Sequence, residues 1–409
     1  MLTRRRALLG AVTTAAAAGV NAVRARAQGK TKIRVGMLQD ASGPYSHLGG
    51  RLSFECANQA ILELGSSSGF EVELISGDHH NSPDTGTAIA RQWLSEGVDA
   101  IMEFNNSAIA LAVNTLIHDN DRVMLGNNVG SAALSGQYCT ANMTHWTFDT
   151  AMLARVVGNA LVDQGGDSWF FIRADYVFGR DLRDDTAAVV RARGGKVIGE
   201  VALPVGTNDF SSALLQAQAS GAKVVALALA GGDLLTCMKQ AGEFGLMQGG
   251  QKVAALIIYP QNVRGLGLDA VQGTYLTESF YWDLNPRTRA FTSRVTPRTS
   301  GMVPHMGAAG AYSAMRHYLK AVVAMGPAEA KKSGRATVAR MKTIPVEDDV
   351  LSNASIRPDG RVVSDVYLFE VKKPGESHRE WDLYKLRATL GPDRAWRPMS
   401  EGGCPLVHT

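Results

Sequence analysis

The sequence has 409 residues, in which 42 Lys and Arg nearly balance 38 Asp and Glu. Residues 1–27 contain five arginines and no acidic residue, so the rest of the chain has 37 basic and 38 acidic residues. That balance excludes the basic surface that a nucleic acid requires. The remainder is long enough for two hydrophobic cores, because single cores stop growing near 250–300 residues.

Residues 1–27 have the pattern of a secretory signal peptide. Arg4-Arg5-Arg6 form a basic start, residues 7–20 are apolar but too few to span a bilayer, and Ala25-Arg26-Ala27 suits signal peptidase. The basic start with Leu8-Leu9 also resembles a twin-arginine signal, and the ordinary secretory route stays open as an alternative. No later apolar run reaches the ~18 residues of a membrane helix, and no cysteine stands just after the expected cleavage site at Ala27. We therefore expect an exported, soluble protein of the periplasm without a lipid anchor.

Strand and helix patterns alternate along the chain, and the alternation occurs twice. In the first series, short apolar runs followed by helical patterns begin at Ile33, Phe70, Val98 and Val123. In the second series, such runs begin at Trp169, Val197, Val224 and Val253. This alternation is typical of parallel sheets with helices on both faces. The sequence therefore predicts an α/β protein with two Rossmann-like, doubly wound lobes.

Beyond Gly273 the pattern changes. Extended segments at 274–276 and 279–281 precede three helical patterns, near 286–299, 308–324 and 328–342. The turn Pro358-Asp359-Gly360 then leads into the alternating segment 362–371, which predicts a late antiparallel pair.

Short motifs follow one another in a definite order over nearly the whole chain after residue 27. They are Ile33–Met37 leading to Ser42-Gly43-Pro44-Tyr45, Gly49-Gly50, Asp78 with Pro83, Asn106-Ser107-Ala108, Asp175–Gly179, Thr207–Phe210, Lys239-Gln240-Ala241 and Pro358-Asp359-Gly360. In this order they resemble the periplasmic solute-binding proteins of ABC importers, of the leucine/isoleucine/valine-binding type.

The resemblance implies two discontinuous lobes, 31–148 with 279–355 and 149–278 with 356–409. A three-segment hinge would join the lobes, and the ligand cleft would lie between them, at the carboxyl ends of strands. It also implies a monomer that binds a small molecule and delivers it to an ABC transporter permease. A ligand-sensing module that docks on a membrane receptor would share the fold and is the alternative.

In the first lobe, the resemblance implies a site of hydroxyl groups and helix N-termini that holds a carboxylate. Asn106 and Ser107 follow the third strand, where the alternative for Ser107 is a plain helix cap. Asn128, Val129, Gly130 and Ser131 follow the fourth strand, where the alternative is a polar loop. Tyr45 would form an aromatic wall or be an ordinary turn residue.

In the second lobe, the candidates also follow strands. They are Tyr176, Phe178, Gly231, Asp233, Tyr259 and Gln261. The sequence departs here from the amino-acid-binding members of the family, because Gln261 stands where they have an acidic residue for the ammonium group and Gly231 where they have an aromatic residue. Asp233 would replace that acid or cap its helix. We therefore expect an amino acid, a carboxylic acid or an uncharged polar or aromatic molecule as ligand.

Four cysteines are present, two in helical patterns and two in loops. Cys56 and Cys237 lie on apolar helix faces, where a thiol packs as a small hydrophobe. Cys139 and Cys404 lie in loop sequence, and in an oxidising compartment we expect them to form a disulfide. Two unpaired thiols are the alternative, because a disulfide requires a geometry that sequence does not reveal.

Enzyme and cofactor motifs are missing from the sequence. There is no nucleophile elbow, no phosphate-binding loop and no dinucleotide-binding glycine motif. His79-His80 beside Asp78 and Asp84 has metal-like residue types, but its spacing matches no zinc pattern and favours a solvated loop. We therefore expect no cofactor, no metal and no enzymatic activity, and an exported hydrolase is the least favoured class.

Overall fold

A computed structural model describes residues 30–64, 69–246 and 249–407. The expected signal peptide lies outside the described residues. The first sheet has five strands, namely β1 (Lys32–Gln39), β2 (Glu71–Asp78), β3 (Ala100–Glu103), β4 (Val123–Gly126) and β5 (Met143–His145). All neighbours are parallel, in the order β2-β1-β3-β4-β5. Helices connect the first four strands, namely α1 (Gly50–Leu64), α2 (Pro83–Ser95) and α3 (Ser107–Asp119).

The second sheet repeats this plan. Its strands are β6 (Ser168–Ala174), β7 (Lys196–Leu203), β8 (Val224–Ala228) and β9 (Lys252–Ala255), all parallel, in the order β7-β6-β8-β9. Its helices are α4 (Thr150–Leu153) and α5 (Asn159–Asp163), joined by a π-helical turn at Ala154–Gly158, then α6 (Val177–Ala192), α7 (Ser211–Ala219), α8 (Gly231–Glu243), α9 (Pro260–Leu266) and α10 (Leu268–Val271).

Both sheets place their second strand at the edge and their first strand beside the third. The strands β3, β4 and β8 are buried at every residue, because helices cover both faces of the sheets. The predicted fold class, α/β with two doubly wound lobes, is therefore confirmed.

The rest of the chain completes both lobes. It contains β10 (Tyr275–Glu278), α11 (Pro286–Val295), α12 (Met306–Met325), α13 (Pro327–Ala330), α14 (Gly334–Thr343), β11 (Ser355–Ile356), β12 (Val362–Val363), β13 (Val366–Val371), β14 (Tyr384–Leu390) and α15 (Pro392–Ala395). The nearly buried helix α12 packs against α1 of the first lobe. In a small antiparallel sheet, β13 lies between β10 and β14.

The chain passes between the lobes after β5, after β10 and after β12. The short pair β11 and β12 stays with the first lobe, where Arg361 bridges His145 next to the end of β5. The last residues return there as well, since Arg397 donates to the Ala132 carbonyl at 2.9 Å and a disulfide joins Cys404 to Cys139. The lobe boundaries remain a proposal, with one change. The sequence assigned residues 356–363 and the tail after 396 to the second lobe, but both segments contact the first lobe.

Candidate functional site

A cavity lies between the two lobes, where the carboxyl ends of both parallel sheets meet. Twelve residues line it, namely Tyr45, Leu48, Asn105, Ser107, Asn128, Gly130, Phe148, Tyr176, Phe178, Ala230, Ile257 and Tyr259. Each follows the carboxyl end of a strand, and the edge strands β2 and β7 contribute none. This is the place where open α/β sheets bind ligands. The cavity has a volume of about 30 Å3 in this closed cleft, which restricts an occupant to a small molecule.

The loop after β1 holds Tyr45 against the cavity. The buried Asp40 carboxylate accepts the backbone N–H groups of Gly43 at 2.7 Å and Tyr45 at 2.9 Å. Asn105 locks this loop from the next strand, because its Oδ1 accepts Asp40 N at 2.7 Å and its Nδ2 donates to the Tyr45 carbonyl at 3.2 Å. The Tyr45 hydroxyl is buried and faces the hydroxyl of Tyr176 from the second lobe. Tyr45 is thus a positioned wall residue whose hydroxyl meets the opposite lobe.

The loop between β3 and α3 brings Ser107 to the cavity. Its turn is sharp, with positive φ at Glu103, Phe104 and Asn105 (83°, 82° and 23°), a conformation that side chains disfavour. Asn106 caps α3 by accepting Ile109 N at 3.1 Å, so Ser107 is not the cap. The Ser107 hydroxyl accepts Ser131 N at 3.1 Å and keeps its own hydrogen free to donate.

Only part of the next predicted segment faces the cavity. Asn128 and Gly130 line it. The Val129 side chain packs in the outer core of the first lobe, and its carbonyl accepts His145 Nε2 at 2.7 Å. Ser131 caps a short 3-10 turn and donates to Asp181 of the second lobe. Asn106, Val129 and Ser131 are therefore near the cavity without lining it.

The second lobe contributes aromatic side chains. The ring of Tyr176 lies 6.4 Å from that of Tyr45 and 6.1 Å from that of Phe178, measured between centroids. Tyr259 precedes α9 and stacks on His305 with 4.1 Å between ring centroids. It also meets the edge of Phe148 at 6.4 Å. The three predicted residues Tyr176, Phe178 and Tyr259 thus form one wall of the cavity.

Three other predicted residues of the second lobe do not line the cavity. The buried Asp233 carboxylate turns away and accepts the Gly206 N–H, with 3.1 Å to each oxygen, and its pKa is raised to about 6 by burial. Gln261 donates to the Val303 carbonyl at 2.7 Å. Gly231 lies at the contact between the lobes rather than on the cavity wall.

Two glycines, one from each lobe, allow the lobes to touch. A Cβ on Gly130 would lie 2.4 Å from the Phe178 ring of the opposite lobe. A Cβ on Gly231 would lie 2.7 Å from both the Tyr45 ring and the Pro44 carbonyl of the first lobe. These reciprocal contacts show that the cleft is closed, and that each aromatic ring needs a glycine opposite it.

Five lining residues were not predicted from the sequence, namely Leu48, Asn105, Phe148, Ala230 and Ile257. Four of them lie just beyond the ends of strands, namely Asn105, Phe148, Ala230 and Ile257. The expectation that ligand sites follow the carboxyl ends of strands therefore applies to these four residues as well. Leu48 lies nine residues beyond the end of β1, and no sequence signal distinguishes it.

The sequence cluster around His79 is structural. His79 donates from Nε2 to the Phe104 carbonyl at 2.8 Å and accepts Asn81 N at 3.0 Å, while His80 lies 3.2 Å from Asp78. Within residues 30–64, 69–246 and 249–407, no group of three His, Cys, Asp or Glu could hold a metal ion. In the same ranges no helix is long and apolar enough to cross a membrane.

The comparisons with known proteins agree with this architecture. The family model described as "Periplasmic binding protein" matches residues 32–376. The chain is 37% identical to a periplasmic binding protein from Burkholderia mallei, with 92% of this chain and 99% of that chain covered and a TM-score of 0.88. It is 35% identical to a branched chain amino acid ABC transporter periplasmic ligand-binding protein from Burkholderia xenovorans, with 91% and 99% covered and a TM-score of 0.80.

More distant relatives are solute-binding proteins as well. A Leu/Ile/Val-binding protein homolog from Brucella melitensis is 26% identical, over 83% of this chain and 88% of the relative. A solute-binding protein of an ABC transporter from Rhodopseudomonas palustris, solved with benzoate, is 19% identical with a TM-score of 0.77 over 88% and 97% of the two chains, and shows the fold alone. The chain belongs to the periplasmic binding protein family and is a solute-binding protein of the ABC transporter type.

Proposed function

We propose that this protein captures a small carboxylic acid with an apolar or aromatic body and delivers it to an ABC importer. One observation carries the proposal: the first-lobe side of the cavity offers donors for a carboxylate, while no described lining residue is ionised. An amino acid would bring an ammonium group that finds no carboxylate in this cavity. The protein would act as an exported monomer without enzymatic activity.

The donors for a carboxylate come from the first lobe. Ser107 stands at the start of α3, a helix of 13 residues, and its hydroxyl hydrogen is free. The first N–H groups of a helix have no partner inside the helix, and its dipole favours a negative charge at this end. A hydroxyl and helix N–H groups together can hold a carboxylate without a cationic side chain.

Three of the carboxylates near the cavity are already engaged. Asp40 accepts two backbone N–H groups of its own loop, and Asp233 accepts Gly206 N. Glu103 lies behind the wall residue Asn128, which donates to it at 2.9 Å. None of them lines the cavity. A buried ammonium group would therefore be left without a counter-ion, at a cost of several kcal/mol.

The rest of the cavity suits an apolar body. Phe148, Tyr176, Phe178 and Tyr259 supply ring faces and edges, and Leu48 and Ile257 supply aliphatic surface. Aromatic rings pack well against aromatic or branched groups. The neighbouring Tyr45 and Tyr176 hydroxyls can pair with a hydroxyl on the solute.

Matched pairs of solutes test the proposal. Calorimetric titration of the purified protein would compare 4-methylpentanoate with leucine and 3-phenylpropanoate with phenylalanine, together with benzoate and 4-hydroxybenzoate. Each pair shares a skeleton and differs in the amino group. We expect at least one carboxylate to bind ~100-fold more tightly than its amino acid, because an unpaired buried charge costs several kcal/mol. Tighter binding of leucine or phenylalanine than of the matched acid would overturn the proposal.

A further inference from the structure

A buried carboxylate lies directly behind the first-lobe wall of the cavity. Glu103 ends β3 and is fully buried. Its carboxylate accepts the side-chain amide N–H groups of Asn127 and Asn128, the latter at 2.9 Å. Its backbone N–H donates to Asn127 Oδ1 at 2.9 Å, and its carbonyl accepts Asn128 N at 3.3 Å. Glu103 thus joins the two first-lobe loops that carry Ser107 and Gly130.

No cation among the described residues compensates this carboxylate. Within the described ranges, Glu103 takes part in no ion pair. The titratable groups that face it are Cys56 of α1 and Tyr259 of the second lobe, and burial raises the pKa of both, so both are neutral. His305, which stacks on Tyr259 and caps α12, is also neutral because burial lowers its pKa to about 3. The remaining neighbours, namely Gln39 of β1, Ser53 of α1, Asn105, Asn127 and Asn128, carry no charge.

The surroundings also offer a place for a proton on Glu103. Gln39 Oε1 is buried and has no hydrogen-bond partner among the described residues. Asn105 Nδ2, Glu103 Oε1 and Gln39 Oε1 lie 2.8, 2.9 and 3.4 Å from the position that a Cβ on Gly49 would take, so all three polar atoms face one small space. The unpaired Gln39 oxygen is therefore an acceptor in the space that a proton on Glu103 Oε1 would face. Burial raises the pKa of Glu103 to about 7, although hydrogen bonds from the side chains of Asn128, Asn127 and Ser53 oppose the shift.

We propose that Glu103 is a specificity-determining residue that takes up a proton when a carboxylate solute binds. This inference rests on the proposed function, since only an anionic solute places a second negative charge at this wall. Two unpaired negative charges in a buried site repel each other, and protonation of Glu103 relieves that repulsion. Glu103 would thereby couple the pH to the affinity for anions and leave the affinity for uncharged solutes unchanged.

The direction of the pH effect follows from this coupling. When the solute raises the pKa of Glu103, the complex binds more protons than the free protein, so affinity falls as the pH rises above about 7. The decrease approaches ~tenfold per pH unit at its steepest. In the variant Glu103→Gln the side chain stays neutral, and the affinity should not change with pH.

Calorimetric titration with benzoate and with 4-methylpentanoate, at pH 7.5 in buffers of different ionisation enthalpy, counts the protons taken up. We expect an uptake between zero and one for the wild type, none for Glu103→Gln, and wild-type uptake for the control Glu73→Gln on β2, whose side chain is half-exposed. Binding without proton uptake in the wild type would overturn the inference and leave the proposed function intact. Failure of every carboxylate to bind at any pH would instead overturn the proposed function.

A second measurement needs no solute. Because the pKa of Glu103 is higher in the folded than in the unfolded state, the folded protein binds more protons between about pH 4.5 and 7, and its stability falls as the pH rises through this range. Glu103→Gln lacks this loss, so the melting temperature of the wild type should fall relative to the variant between pH 5 and 8. A constant difference over that range would show that Glu103 does not titrate there, which would overturn the inference.

Discussion

At the scale of single residues, the cavity is surrounded by two kinds of side chain. Some offer polar groups to the solute, and others fix the position of the loops that form the wall. Ser107 and Tyr45 carry hydroxyl groups at the cavity wall, whereas Asp40, and Asn105 although it also lines the cavity, direct their hydrogen bonds to backbone groups of the loop after β1. The two kinds of residue adjoin each other in the sequence. Mutations at the first kind should change affinity with little effect on folding.

The variant Ser107→Ala should bind carboxylates about 10- to 100-fold more weakly. It removes a hydroxyl that can donate to a charged oxygen, a contact worth about 1.5–3 kcal/mol. Affinity from calorimetric titration and the melting temperature would both be measured. A suitable control is Ser293→Ala, since the Ser293 hydroxyl only contacts the carbonyl of Ala290 on its own helix. Unchanged affinity in Ser107→Ala would remove Ser107 from the site.

At the scale of elements, the glycines at the contact between the lobes control closure. Gly130→Ala would push its Cβ into the Phe178 ring, and such overpacking costs about 1–3 kcal/mol. We expect about a 10- to 100-fold loss of affinity together with a larger radius of gyration for the complex in small-angle scattering. Gly242→Ala serves as a control, because apart from its own helix backbone no atom lies within 4 Å of the new methyl group. If the Gly130→Ala variant closes its cleft as the wild type does, the Phe178 ring can move aside and the contact does not control closure.

Most of the fold could be predicted from the sequence, because local patterns determine strands and helices. The predicted strand starts at Val123 and Val224 match β4 and β8, and the helix expected near 308–324 is α12. The outward turn of Asp233 and Gln261 could not be predicted, because their partners Gly206 and Val303 lie about 30 and 40 residues away in the chain. Strand ends indicate where a site lies, but distant contacts decide which side chain faces it.

At the scale of the whole molecule, the tail forms a further connection to the first lobe. The disulfide between Cys139 and Cys404 spans 265 residues of sequence. Cys139 and Cys404 are therefore not two unpaired thiols, which was the alternative. The free cysteines are Cys56 and Cys237, and both are buried. Trp396 anchors the same tail, since its ring lies 4.1 Å from the buried Arg361 guanidinium and its N–H donates to the Ser364 carbonyl at 2.8 Å.

The double variant Cys139→Ser/Cys404→Ser should be less stable by about 3–5 kcal/mol, because the cross-link closes a long loop in the unfolded chain. Urea unfolding of both proteins would measure the difference. A reductant should destabilise the wild type to a similar extent and leave the variant unchanged. A reductant effect of equal size in the variant would mean that the disulfide is not the cause.

The path of the C-terminal tail also affects the order in which the two lobes can fold. Its first lobe draws on the beginning of the chain, on helices after residue 286 and on Cys404 close to the last described residue. Contacts between segments so distant in sequence form slowly, because a long loop must close before they are made. The second lobe, which lies mostly within one continuous stretch, can fold while the chain is still being made. The first lobe must wait for α11, α12, α14 and Trp396, so a chain that stopped before Trp396 would lack part of that lobe's core.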